Sequence, residues 1–333
     1  MGRSIVITGG AGFIGLAAAE ALLATGHRVT ALDLSPPPAV FRDHPALAGL
    51  SFMKADLRDK DSFEAAVAQA GADTMLHLAA ITPNAALIHD HAAEILTVNI
   101  AGTAAAMAAA KSSGIRRFFM TSSIAVYGTK GPWTTPTLRE SGPLCPDSLY
   151  GLTRRAAEDA ARLLAPVFGL SLTILRLGPV FGPWEHLGAA RPNLSPHAQI
   201  LALHRAGMTA TLPHQMRADW LYARDAARAI AGLIDRTDHG DAEGDTVNIG
   251  AGRLSTPGEW AAASGLPAPQ VADSAALNVT AAMALGRPPM DVTTLLTRLP
   301  DLDPISRPLT EAAQDFAAWR TQIAALSTPE VSP

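Results

Sequence analysis

Tyr150 and Arg154 stand four residues apart in a stretch, Tyr150 to Phe168, whose pattern predicts a helix. Residues at that spacing share one helix face. A guanidinium at 154 therefore sits beside the phenol and favours its ionised form. Such a tyrosine can exchange a proton with a substrate hydroxyl while a nicotinamide exchanges the hydride. Upstream, Thr121-Ser122-Ser123 closes an apolar run, Phe118 to Ser122, that reads as a strand. A serine hydroxyl at that strand end can hydrogen-bond the same substrate oxygen. This chemistry needs a hydride carrier, so the chain must also hold a cofactor.

The N-terminus supplies the pattern for one. Ser4 to Thr8 reads as a short buried strand, followed by Gly9-Gly10-Ala11-Gly12-Phe13-Ile14-Gly15 and a helix over Leu16 to Ala24. Gly9 permits the tight turn, Gly12 lets backbone approach a pyrophosphate, and Gly15 lets helix and strand pack closely. The pyrophosphate would rest on the free N–H groups at the helix start, which makes Gly9, Gly12, Phe13, Ile14 and Gly15 candidate cofactor contacts. A second strand, Arg28 to Leu32, ends in Asp33, placed to accept hydrogen bonds from ribose hydroxyls. A carboxylate there repels a 2′-phosphate, which argues for NAD over NADP; Arg42 is the nearby cation that could offset this.

The elements that must position these groups alternate regularly. Candidate strands at Ser51–Lys54, Thr74–Leu78 and Ser171–Leu175 join those already named, with helices over about Lys60–Ala70 and His91–Ser112 between them. Short apolar strands alternating with helices imply an α/β fold with a parallel sheet covered on both faces, a Rossmann-type doubly wound sheet. After Leu177 the rhythm breaks into Pro-, His- and Gly-rich segments. Residues 1–177 plus 214–250 are expected to form the nucleotide-binding domain. Residues 178–213 plus 251–327 are expected to form a smaller C-terminal substrate lobe, and 328–333 a mobile tail.

Composition narrows the class. The chain has 333 residues, 48% hydrophobic content and a net charge of −4, with no Lys/Arg run, so nucleic acid and anionic membrane are not expected partners. The single cysteine, Cys145, excludes an internal disulfide and fits a reducing, cytoplasmic compartment. The first strand is expected to begin at residue 4, so no signal peptide is expected. No apolar run is read as a membrane span. His186, His197, His204 and His214 lack convincing ligand spacing, so no metal is expected.

Taken in order, these motifs resemble an extended short-chain dehydrogenase/reductase of the NAD-dependent epimerase/dehydratase family. The resemblance covers residue 4 to about 250. It rests on Thr8 to Gly15, Asp33, Asp56-Leu57, His77 to Ala80, Asn99 to Thr103, Ser122 to Gly128, Tyr150 to Arg154, Arg176 to Pro183, Asp219 to Asp225 and Asn248 to Gly250. It implies that Asp56 and Leu57 meet the adenine and that Leu78, Ala79 and Ala80 line the cofactor's middle. Asn99 would support the active-site geometry beside the cofactor. Ser123 would be the catalytic serine, Tyr150 the general acid/base, and Pro179 and Val180 contacts of the nicotinamide. The resemblance also implies a homodimer through helices 91–112 and 150–168.

The departures are informative. The family's lysine after the tyrosine is Arg154 here, which keeps the charge but essentially never deprotonates. Ile124-Ala125 replaces the Asp-Glu pair of family dehydratases and cannot do acid/base work, which argues against dehydration. Gly178 and Ala218 stand where nucleotide-sugar enzymes carry Asn and Arg, and Arg217 is shifted to the opposite strand face. Arg191, Arg205 and Arg253 remain candidates for an anionic substrate group. Trp184 and Glu185, at the expected mouth of the site, either contact substrate or cap a loop. The leading expectation is an NAD-dependent oxidoreductase acting on a secondary alcohol of a sugar or sugar-acid-like substrate. A sugar epimerase and a catalytically silent NAD-binding sensor or scaffold stand as alternatives.

Overall fold

A computed structural model of the chain describes residues 2–131, 133, 135–236, 245–273, 276–281, 286–302 and 304–326. The expected tail 328–333 lies outside the described residues. The first half runs β1 (Ser4–Thr8), α1 (Phe13–Ala24), β2 (Arg28–Asp33), α2 (Ala39–Arg42), β3 (Ser51–Lys54), α3 (Lys60–Ala70), β4 (Thr74–His77), α4 (Ala85–Leu96), α5 (Gly102–Ser112), β5 (Arg117–Ser123), α6 (Leu149–Phe168) and β6 (Ser171–Leu177). The second half adds β7 (Val180–Phe181), α7 (Pro196–Arg205), β8 (Thr211–Leu212), β9 (Leu221–Tyr222), α8 (Ala223–Arg236) and β10 (Asp245–Ile249). It closes with α9 (Pro257–Ala263), β11 (Gln270–Val271), α10 (Thr293–Arg298) and α11 (Leu309–Leu326).

Seven strands form one parallel sheet in the order β3-β2-β1-β4-β5-β6-β10. The central strands are covered on both faces, so β5 buries six consecutive residues from Arg117 to Ser122 rather than alternating. Strand order reverses between β1 and β4. The loops leaving the carboxyl ends of those two strands diverge there, opening the crevice in which such sheets bind ligands.

Helix boundaries follow local chemistry. Ser148 caps α6 by accepting from the Gly151 N–H at 3.1 Å, and Gly169, at φ +65°, ends it. The expected helix start at His91 is corrected. Asn84 caps the helix by accepting from the Leu87 N–H, so α4 begins at Ala85, and His91 is a kink within it. A π-helical turn over Thr97–Ala101 then joins α4 to α5. The combined run Ala85–Ser112 is long and apolar enough to cross a membrane by length and composition, which the sequence reading did not anticipate. In the fold it is bent, and α5 packs between α3 and α6.

The segments expected to form a separate lobe share a core with the sheet. Trp184, Trp260, Phe316 and Trp319 belong to the same buried cluster as Ile5, Leu16 and Phe41. Helix α11 returns to α9 and α2, where Trp319 packs against Phe41 and Trp184. Arg224 ties this face together by pairing with Glu20 of α1 and Asp315 of α11.

Candidate active site

The Gly9–Gly15 turn is built by close approach. Gly9 adopts φ +68°, and a Cβ on it would lie 2.8 Å from the Ala79 backbone. On Gly15 a Cβ would meet the Gly9 carbonyl oxygen at 2.4 Å, so α1 seats directly on the turn. Gly10, which the sequence reading assigned no role, lies where a Cβ would meet the Ala31 Cβ at 2.6 Å. Gly12 has an extended backbone and begins α1, leaving the helix's first N–H groups open to an anion. Asp33 at the end of β2 accepts from the Ala11 and Leu34 N–H groups at 3.0 and 2.7 Å. Burial nonetheless pushes its carboxyl up against those hydrogen bonds. Its oxygens keep lone pairs for ribose hydroxyls.

Beyond this turn lies a cleft of about 720 Å³ at the carboxyl ends of the strands. It brings together Ile14, Leu78, Ala80, Ser123, Tyr150, Pro179, Val180 and Arg191, residues scattered over nearly 180 positions. Ser123 ends β5 with its hydroxyl accepting from the Ala125 N–H at 3.1 Å. Tyr150, in the first turn of α6, lines the same cleft.

Arg154 lies one turn below Tyr150 and is 1% exposed. Its Nη2 donates to the Thr121 carbonyl, while Nε and Nη1 are buried without a protein partner. Burial lowers its pKa, and the charges of Tyr150 and then Glu158 act in the opposite direction. Arg154, like Asn99, is not among the residues lining the cleft, but its Nε and Nη1 are unpartnered, so they are the donors the chain holds one turn from Tyr150 for the ribose hydroxyls that the family's lysine binds. The residues therefore fit the cofactor. Behind Arg154, His77 is bonded to Thr8 and Thr103, and burial, followed by the Arg154 charge, pushes it down to about 3.

Several candidates stand elsewhere than expected. Asn99 is fully buried; its amide donates to the Ile81 carbonyl and the Thr153 hydroxyl and accepts from the Ile81 N–H. It pins the loop after β4 to α6 and does not line the cleft, so it is a positioning residue rather than a cofactor contact. Trp184 is corrected too. It is 0% exposed, and its indole N–H donates to Glu20 at 2.7 Å, so it is core and cannot touch substrate. Glu185 accepts from Ser195 and Arg191 and is loop chemistry. Leu57 lines a separate hollow with Gly102 and Ala105, and Arg58 forks onto Asp56, holding its carboxyl below the usual range. Arg205 and Arg253 do not line the cleft; Arg253 donates to the Arg307 carbonyl.

The sequence reading missed Arg287. It lines the cleft beside Trp220 and Pro288, its Nε is buried without a partner, and it makes no ion pair among the described residues. Burial pushes it down to about 10, partly offset by the charge of Asp147. It lay in a Pro-rich segment with no periodic signal, so nothing local foretold its path across the cleft. Asp219 was also unassigned. It accepts from the Ala251 and Met290 N–H groups, tying the cleft floor to that returning segment, and burial raises it to about 6.

A sequence profile described as the NAD dependent epimerase/dehydratase family matches residues 5–250. The chain belongs to the NAD-dependent epimerase/dehydratase family. UDP-glucose 4-epimerase 4 of Oryza sativa is 33% identical over 173 residues, 48% of this chain and 44% of that protein. The match thus spans less than half the length of this relative. An uncharacterised UDP-glucose epimerase of Bacillus subtilis is 29% identical over 255 residues, covering 74% of this chain and 76% of its own. The solved structure of MoeE5 in complex with UDP-glucuronic acid and NAD is 25% identical. It superposes with a TM-score of 0.72, covering 96% of this chain and 99% of that one. The family is NAD-dependent, so NAD is the chain's cofactor.

Proposed function

We propose that this epimerase-family chain moves hydride between NAD and a secondary alcohol of a sugar or sugar-acid-like substrate. Bound NAD supplies the hydride acceptor. Tyr150 takes the hydroxyl proton at its phenolic oxygen, and Ser123, which lines the same cleft, donates a hydrogen bond to the substrate oxygen. Arg154 orients the ribose and keeps a fixed positive charge beneath Tyr150. The same residues, run in reverse on the ketone, serve epimerisation. The observation that carries this reading is Arg154, whose orphaned N–H groups sit beneath the one tyrosine lining the cleft among the described residues.

Arg287 supports an anionic substrate. A Cβ on Gly178 would lie 3.1 Å from the Asp219 carbonyl oxygen, so the strand end there is packed against backbone. Arg217 is exposed and does not line the cleft. Among the described residues the arginines lining the cleft are Arg191 and Arg287, and Arg287 makes no ion pair there, which suits a substrate with an anionic group.

A homodimer through α4–α5 and α6 belongs to the same reading. It rests on the exposed Leu96 of α4 and Leu152, Leu163 and Val167 of α6. A cytoplasmic setting rests on the one free cysteine, Cys145.

The test is Tyr150→Phe assayed against a panel of sugars, sugar acids and nucleotide sugars. We expect turnover to fall by a factor on the order of 10² or more with NAD affinity unchanged. Unchanged turnover would remove Tyr150 as the acid/base. Net NADH formation would mark a dehydrogenase, whereas substrate inversion without net absorbance change would mark an epimerase.

A further inference from the structure

Within residues 186–195, Arg191, Asn193, Leu194 and Ser195 line the cleft, and the segment touches the start of α1 after β1 and the loop after β4. At one contact, the Arg191 guanidinium lies over the Phe13 ring, 5.1 Å from its centroid. Phe13 is the first residue of α1, directly after the Gly12 backbone on which a pyrophosphate would rest. At the other, the Thr82 N–H donates to the Ala190 carbonyl at 2.8 Å. Thr82 follows Leu78, Ala79 and Ala80, the loop on the far side of the switch point.

The span is internally braced. Gly188 and Arg191 exchange both backbone hydrogen bonds, at 3.1 and 3.0 Å. Its base is fastened by Glu185, whose side chain is 2% exposed. One Glu185 oxygen accepts from Arg191 Nη2 and the Ser195 N–H, each at 2.7 Å, and the other accepts from the Ser195 hydroxyl at 2.6 Å. Glu185 therefore fixes where the Arg191 fork points. The Arg191 Nε is buried and has no protein partner, although the side chain lines the cleft.

We infer that residues 186–195 form a strap that shuts NAD into the cleft, with Arg191 as its cationic fastening over the pyrophosphate. This assigns Arg191 to the cofactor rather than to the substrate. It rests on residues 9–15 being the NAD site. For NAD to leave, the strap must give up the Thr82–Ala190 hydrogen bond and lift Arg191 from Phe13. A guanidinium facing a pyrophosphate also makes charge-assisted hydrogen bonds, roughly twice as strong as neutral ones. Slow release keeps the reduced cofactor at the site where it formed, which favours a redox-neutral epimerisation over a dehydrogenase that must exchange NADH each turnover.

The test needs no substrate. Protein loaded with NAD is mixed with excess etheno-NAD, and the exchange rate is followed by fluorescence. Arg191→Gln is expected to speed release at least tenfold with an unchanged circular dichroism spectrum. Arg191→Lys, which keeps the charge and loses the flat stacking group, is expected to fall between. Equal exchange rates in all three proteins would overturn the strap while leaving the NAD site standing. Should Arg191→Gln misfold, Arg191→Lys decides alone, since a rate within twofold of the parent overturns the inference. A parent chain that binds no NAD would overturn the site and the strap together.

Discussion

The residue that most shapes the chemistry is Arg154. An arginine buried with two unpaired nitrogens is costly unless something accepts from them, because a buried unsatisfied donor loses about 1–3 kcal/mol, more when charged. Its position one turn from Tyr150, with Nη2 anchored on the Thr121 carbonyl and Nε and Nη1 unpartnered, gives it a planar fork that a lysine's single ammonium has no counterpart for. Arg154→Lys is accordingly expected to weaken NAD binding about tenfold, the loss of about 1.4 kcal/mol, as read by fluorescence titration. A strong rise in turnover would instead mark the native site as a degraded one. At the substrate end, Arg287→Gln should raise KM for an anionic substrate at least tenfold with little change in kcat, the pattern of lost uniform binding. Steady-state kinetics on a charged and a neutral sugar checks it, because the neutral sugar should be indifferent. Helix spacing and a strand end are local, so the sequence could propose that Tyr150 and Arg154 share a face and that a serine lies at the end of β5, and the structure places Tyr150 and Ser123 in one cleft. Arg287 was not legible, because its role depends on where a Pro-rich chain returns.

At the scale of elements, α6 does most of the positioning. Its first turn carries Tyr150, its second Arg154, and Thr153 is pinned by Asn99 from the π-helical turn between α4 and α5. That turn is where sequence periodicity failed. A π-helical turn shifts the helix phase, so a continuous helix from His91 to Ser112 could not show Asn99 turning inward. The opposite face of α6 presents Leu152, Leu163 and Val167, with Leu163 75% exposed. Placing a charge there should break a dimer without touching the cleft. Leu163→Glu is expected to halve the mass measured by light scattering and leave the monomer folded. An unchanged mass would remove α6 from any interface. The strap proposed for residues 186–195 is the other element-level feature, and the sequence reading, which placed this span in a substrate lobe, had no periodic signal from which to see its backbone contact with Thr82.

For the whole molecule, one continuous core joins the sheet to the returning C-terminal segments, and its polar inclusions set an acid limit. His197 stacks on Phe181 at 3.8 Å, and burial alone pushes it down to about 3. His77 is likewise near 3. Both are neutral when folded, whereas in the unfolded chain they take up protons below about pH 6.5. The unfolded state then binds more protons, so stability is fully present above that pH and declines as pH falls toward 3. Each histidine contributes about 1.4 kcal/mol per pH unit within that window. Urea midpoints at pH 7 and pH 5 should show the loss, and His197→Phe should reduce its slope. An identical slope in both proteins would place His197 in water.

The sequence by itself determined the sheet, the glycine turn and the end of β2 at Asp33, because each is written in short-range periodicity or steric need, whereas it offered Ser123, Tyr150 and Arg154 as candidates through the family resemblance. Tertiary structure alone decided that Trp184 is core, that Arg191 lies over the cofactor turn, that Asn99 braces α6 and that Arg287 enters the cleft. Those outcomes depend on which distant backbones come within hydrogen-bond or van der Waals reach, and local residue order does not encode that distance.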